Sequence, residues 1–182
     1  HELERQGFEV TVFEADDRIG GMSAAFDFDG TPIERYYHFV CKPDQPLFDV
    51  LAEFGLSDRL RWRATELGFF YDGRFYDWGR PDALLRFPHL GLVDKMRFAA
   101  HVLYTKNVSD WSKLDALEAT AWLRKWVGER TYQVLWHKLF DLKFFEHREK
   151  LSAAWIGTRI KRVALSRRSL FQEEMGYLEG GS

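Results

Sequence analysis

One stretch near the start of the chain constrains its fold more than any other feature. His1 to Gly7 is a run of charged helix formers closed by a glycine, the pattern of a helix C-terminus. Phe8-Glu9-Val10-Thr11-Val12-Phe13 follows at once, rich in β-branched and aromatic residues, and predicts a short buried strand. Glu14 ends it, and Ala15 to Gly21 forms a polar loop closed by paired glycines. Helix, glycine, strand, acidic residue, loop is the order of the second half of a βαβ unit, whose helix crosses between two parallel strands. The first strand of such a unit would lie before His1, so the sequence reads as an internal piece of a longer fold.

Beyond that stretch the pattern turns to β and then to α. Asp29-Gly30 and Asp72-Gly73 each sit between apolar or aromatic runs and predict hairpins, since a type I′ turn needs positive φ that Asp and Gly tolerate. Pro46 to Leu56 predicts a short helix with Leu47, Val50, Leu51 and Phe54 on one face. From Leu92 almost to Arg168 the spacing is helical. Leu92, Met96, Ala99 and Leu103 form a first stripe, and Ala119, Trp122, Leu123, Trp126 and Val127 a second. Asp115, with Glu118 as reciprocal partner, is the expected cap of that second helix, and Gly128 its end. Tyr132, Leu135, Trp136, Leu139 and Phe140 make a third stripe, and Ser152 to Leu165 a fourth helix. The fold class expected is α/β, α+β within this stretch. Residues 1–40 form part of a Rossmann-like region, 41–90 a hairpin-containing segment and 91–175 a helical domain, while 176–182 return towards the first region.

Composition excludes several classes. Twenty-six basic against 28 acidic side chains leave a net charge of −2, which argues against a nucleic-acid binder working by charge. A single cysteine excludes a disulfide framework or cysteine-rich zinc site and fits a reducing, cytoplasmic setting. No segment approaches the roughly 18 apolar residues of a membrane helix. Aromatic residues make up 16% of the chain, ring surface that must be buried within it or against something it touches.

Glu14 carries the first chemical hint. In dinucleotide-binding βαβ units an acidic residue ends the second strand and accepts hydrogen bonds from the adenosine ribose, about 20 residues after a glycine fingerprint. The whole string Val10-Thr11-Val12-Phe13-Glu14-Ala15-Asp16-Asp17-Arg18-Ile19-Gly20-Gly21 resembles the segment after the first helix in the FAD-dependent amine oxidase, protoporphyrinogen oxidase and phytoene desaturase superfamily. There an apolar strand leads into E-A-x-x-R-x-G-G. The resemblance implies that Glu14 binds the FAD ribose and that Arg18 sits by the cofactor. It also implies that Gly20, Gly21 and the adjoining Met22 let backbone approach the pyrophosphate and flavin. Met22 stands where many amine oxidases have arginine, a departure towards desaturase-like, protoporphyrinogen-oxidase-like or UDP-galactopyranose-mutase-like branches. Glu34-Arg35-Tyr36-Tyr37-His38, Tyr71 to Tyr76, Lys143-Phe144, Ser152 to Trp155 and Gly176 to Gly181 also look like segments of bacterial members.

Other candidates are weaker. Tyr37 and His38 lie in a predicted strand, with His38 the one histidine of an aromatic cluster; it either faces flavin or substrate as a proton relay or is a satisfied core histidine. Lys143, on the stripe of Trp136, Leu139 and Phe140, either meets an anionic substrate or cofactor or snorkels from an apolar face. Cys41 reads as a small apolar filler. Arg159, Lys161, Arg162, Arg167 and Arg168, flanked by glutamates, read as a solvated helix face, with an anionic partner or membrane surface as the alternative. No metal-ligand spacing is expected.

The resemblance implies part of an FAD-dependent oxidoreductase that oxidises or desaturates an apolar or amine small-molecule substrate by hydride transfer to flavin. Two alternatives remain: a flavin-dependent nucleotide-sugar mutase, and an interaction module that is inactive by itself. Weak FAD retention by this stretch alone, peripheral membrane contact and self-association through an unpaired strand edge are further expectations.

Overall fold

The computed structural model describes residues 1–180; Gly181 and Ser182, the end of the predicted return segment, lie outside the described residues. The chain opens with α1 (Glu2–Arg5). His1 Nε2 and Arg5 Nη1 lie 2.8 and 2.7 Å from Glu53 Oε1, which ties α1 to α2 (Gln45–Glu53). Residues 8–13 do not form the buried strand expected. They run without a ladder partner and point outwards, Val12 81% and Phe13 93% exposed. A strand exists only against a neighbour, and no described segment offers these residues an edge.

Both predicted hairpins form. β1 (Ala25–Phe28) pairs with β2 (Thr31–Glu34), and β4 (Leu67–Tyr71) with β5 (Arg74–Trp78). Asp29 and Asp72 carry the positive φ that the type I′ turn requires. β3 (Leu60–Thr65) lies against β7 (Gln172–Leu178), which also pairs with β6 (Arg167–Ser169). Every ladder among the described residues is antiparallel. The end of the described chain thus returns to the segment before the β4–β5 hairpin.

α3 (Pro81–Arg86) leads into the helical part, built from α4 (Leu92–Asn107), α5 (Ser112–Asp115), α6 (Ala119–Tyr132), α7 (Lys138–Phe144) and α8 (Ala153–Leu165). α4, α6 and α8 pack together around Trp122, Leu123, Val127, Tyr132, Phe140 and Ile156. The second predicted stripe supplies that core. Gly128, at φ 81°, breaks α6 where the sequence expected its end, and the chain re-enters helix directly. Residues 133–137 widen to a π turn, which alters the spacing of the third stripe: Val134 turns inwards and Leu139 outwards.

Three expectations need correction here. The stripe of α4 faces solvent at Leu92, Met96, Ala99 and Leu103, and the helix instead buries Phe98 in part, with His101 and Thr105 fully inside. Asp115 does not cap α6, because that helix starts after Glu118; the carboxylate accepts from Ser152 Oγ at 2.7 Å and links to the start of α8. The basic run is not a solvated face either. Arg162 donates to Asp44 at 2.7 and 2.6 Å and to the Phe39 carbonyl at 2.9 Å, Lys161 to the Val108 carbonyl, and Arg167 to the Gly79 carbonyl at 2.6 Å. These cations hold α8 to the segments around it; only Arg159 and Arg168 are exposed. Cys41 is buried as expected, and burial pushes its thiol up.

Candidate functional site

The loop of residues 14–24 brings Glu14, Arg18, Gly20, Gly21 and Met22 together beside the β1–β2 hairpin. Its start is a local turn: the Asp16 backbone N–H donates to Glu14 Oε1 at 2.9 Å, and Asp17 N–H to Asp16 Oδ1 at 2.8 Å. Its end is a single 3₁₀ turn, with Ser23 N–H on the Gly20 carbonyl at 2.9 Å. Gly20 (φ 117°) and Gly21 (φ 54°) both need glycine for this path, but for different purposes. A Cβ at Gly20 would stand 3.2 Å from the Ala24 nitrogen, so its bareness serves the turn itself. A Cβ at Gly21 would meet nothing within 4 Å, and that backbone faces open space.

Two arginines fasten the loop to the hairpin. Arg18 Nη1 donates to the Ala25 carbonyl at 2.8 Å, at the first residue of β1. Arg35, just past β2, makes a two-point pair with Asp16, while its own N–H donates to the Ala24 carbonyl at 2.9 Å. The Arg35 guanidinium and the Asp17 contact hold the Asp16 carboxyl far below the usual carboxylate range, and Asp16 raises Arg35 in return. Sequence reading gave Arg35 no role. The available signal was the acidic pair Asp16-Asp17 with a lone arginine at the far end of the following hairpin.

Tyr37 and His38 follow β2 in irregular chain rather than inside a strand. Tyr37 stacks on Phe39 with centroids 6.0 Å apart, and His38 Nδ1 lies 3.0 Å from Glu34 Oε2. His38 is exposed, so it is not a core histidine. The histidines within aromatic clusters are two others. His89 sits among Tyr71, Tyr76 and Phe87, its Nε2 2.8 Å from the Tyr76 hydroxyl. His101 is wedged against Trp122 and Trp126 with no hydrogen-bond partner, and burial pulls it down to about 4. Lys143 stands apart, exposed on α7, its Nζ 5.9 Å from the Trp155 ring centroid. No described contact joins it to Tyr37, His38 or the loop. Among the described residues no group of three or more His, Cys, Asp or Glu could hold a metal ion.

The loop can present acceptors and bare backbone to a ligand. Glu14 is exposed, with one carboxylate oxygen holding the Asp16 N–H and the other without a described partner. Comparison with known proteins decides the family. The model of flavin-containing amine oxidoreductases matches residues 1–181.

The chain belongs to the flavin-containing amine oxidoreductase family.

No curated protein matches this family member. Among solved structures it is similar to "Putative protoporphyrinogen oxidase" from Exiguobacterium sp. 255-15, with a TM-score of 0.51 and 20% identity. That similarity, of fold alone, covers 92% of this chain and 41% of the other, so the family member spans about two fifths of that protein's length. Its mixed helices and antiparallel sheets are those of an α+β chain of this fold. No helix among the described residues is long and apolar enough to cross a membrane.

Proposed function

We propose that this chain is part of an FAD-dependent oxidoreductase and that its 14–24 loop holds the adenosine end of the cofactor. The observation carrying this reading is the family match over residues 1–181, together with a loop whose acidic and glycine positions remain open to a ligand. The residues present fit the group. Glu14 offers a free carboxylate oxygen to a ribose diol, and the Gly21 backbone has room for close approach. Arg18 and Arg35 act at one remove: through Ala25 and Asp16 they fix the path of the loop, so that Glu14 and Gly21 are set before a ligand arrives. When bound, FAD supplies the hydride acceptor for oxidising or desaturating a small apolar or amine substrate.

The mutase reading gains nothing from the fold, because Arg162 and Arg167 are already engaged by Asp44, Glu173 and backbone carbonyls. The sequence contains no G-x-G-x-x-G, the turn that sets a pyrophosphate on a helix N-terminus, so this stretch alone holds FAD weakly. The test is the visible spectrum of the protein expressed from its complete reading frame. Flavin absorption that bleaches anaerobically with an amine or a polyene supports the reading. A colourless protein that takes up no added FAD overturns it.

A further inference from the structure

The β4–β5 hairpin and the turn between α3 and α4 close around His89. β5 alternates, with Phe75 and Asp77 outside and Tyr76 and Trp78 turned inwards. Phe87, only 1% exposed, seats that inner pair, its ring centroid 5.1 Å from Tyr76 and 5.3 Å from Trp78. Arg130 Nε on α6 donates to the His89 carbonyl at 3.0 Å and fixes the turn from the other side. The imidazole therefore stands among the rings of Tyr71, Tyr76 and Phe87, at 4.7, 5.3 and 5.3 Å, and its Nε2 lies 2.8 Å from the Tyr76 hydroxyl.

Among the described residues Tyr76 is the one tyrosine whose hydroxyl rests on a ring nitrogen. That pairing matters for electron transfer. A phenol that loses an electron becomes strongly acidic and must shed its proton. A base already within the reach of proton transfer, about 2.6–3.2 Å, lets electron and proton leave together. A neutral imidazole is such a base. Tyr36 and Tyr37, 60% and 79% exposed, are the more accessible rings, but neither hydroxyl rests on an imidazole among the described residues.

We propose that Tyr76 is a one-electron redox site of this chain, with His89 Nε2 as the acceptor of its phenolic proton. An oxidant of the one-electron class, such as nitrogen dioxide or a tris(bipyridine) metal complex, gains one electron. Tyr76 loses that electron, its O–H bond breaks, and an N–H bond forms at His89 Nε2. The products are a neutral tyrosyl and an imidazolium, and an electron returned to the ring reverses every part of the step. This direction of transfer requires the tautomer with its hydrogen on Nδ1. An electron hole that starts on Trp78 has one ring, Phe87, to cross before it reaches Tyr76. Phe98, 6.0 Å from Trp78, continues the contact into α4. The pair shares no residue with the 14–24 loop, so the inference does not rest on the FAD reading.

The experiment is photo-oxidation of the 182-residue chain by flash-generated tris(bipyridine)ruthenium(III), read by rapid-freeze electron paramagnetic resonance and time-resolved absorption. The expected product is a tyrosyl radical that forms more slowly in deuterium oxide, because the proton moves in the same step. Tyr76→Phe should remove most of the tyrosyl signal, whereas Tyr37→Phe, at the most exposed tyrosine, should leave it unchanged. His89→Gln should slow tyrosyl formation by about tenfold or more, since an amide oxygen accepts the hydrogen bond but not the proton. Near-ultraviolet circular dichroism checks that each variant is folded. Should the Tyr76 and His89 variants fail to fold, Tyr37→Phe and the isotope effect on the unaltered chain decide. A tyrosyl yield that falls with Tyr37→Phe rather than Tyr76→Phe, an indole radical without a tyrosyl, no isotope effect, or a rate unchanged in folded His89→Gln would overturn the proposal.

Discussion

The helical part and the N-terminal stretch carry similar apolar side chains to opposite ends. In α6 and α7, Trp122, Leu123, Val127 and Phe140 disappear into a shared core, whereas Val10, Val12, Phe13 and Ile19 stand in solvent. The difference is one of backbone. A helix satisfies its own N–H and C=O groups and needs neighbours only for its side chains, but an extended segment needs a ladder partner before it can bury anything. Residues 8–13 accordingly leave their apolar side chains exposed among the described residues, and they lead into the loop proposed to hold the cofactor.

The sharpest way to break this comparison is to truncate one ring in each part. Phe140→Ala, at a fully buried site, should lose about 3–5 kcal/mol in chemical denaturation. Phe13→Ala should change stability by no more than about 0.5 kcal/mol. A matching loss at Phe13 would mean that the segment packs after all.

A second effect belongs to His101. Its folded pKa is depressed from 6.5 to about 4 because the neutral ring is buried, so between those values the unfolded chain binds more protons than the folded one. The stability that His101 allows is thus complete above pH 6.5 and is lost as pH falls towards 4, by about 3 kcal/mol if the shift is fully expressed. His101→Phe should flatten this part of the profile of melting temperature against pH. A variant as acid-sensitive as the parent would refute it.

Gly157 tests packing between α8 and Trp111, the residue just before α5. A Cβ there would lie 2.5 Å from Trp111 Cζ3, so Gly157→Ala should cost about 1–3 kcal/mol as the indole is forced aside. The smallest global effect is expected at Arg35. Arg35→Met should leave the melting temperature unchanged, since its ion pair is at the surface, but speed hydrogen exchange across residues 16–24. In the N-terminal stretch, Val12→Lys should lower any self-association seen by sedimentation, because a charge blunts an unpaired edge.

What could be read in the sequence follows the same division. The Asp-Gly turns and the core stripe of α6 were legible because each follows from local stereochemistry or a regular period. The face that α4 turns inwards was not. Its more apolar stripe at Leu92, Met96 and Leu103 lies outside, while Trp122 and Trp126 take the ring of His101, and Thr105 returns its hydroxyl to the His101 carbonyl at 2.7 Å. Period reveals a helix, but only its neighbours decide which side is buried. The basic run around α8 misled for a related reason: nothing local to Arg162 reveals that Asp44, 118 residues away, waits for it. At the candidate site the sequence singled out Glu14 and the glycines, but it could not show that Ala24 crowds Gly20, and it overlooked the clamp of Arg35 on Asp16.

The most direct test of the account is the FAD affinity of Glu14→Gln in the protein expressed from its complete reading frame, set beside the unaltered protein. A carboxylate holding a ribose diol is worth about 1.5–3 kcal/mol, so the variant should bind FAD about 10- to 100-fold more weakly with its fold intact. Unchanged affinity in a folded variant would contradict the assignment of this loop to the cofactor.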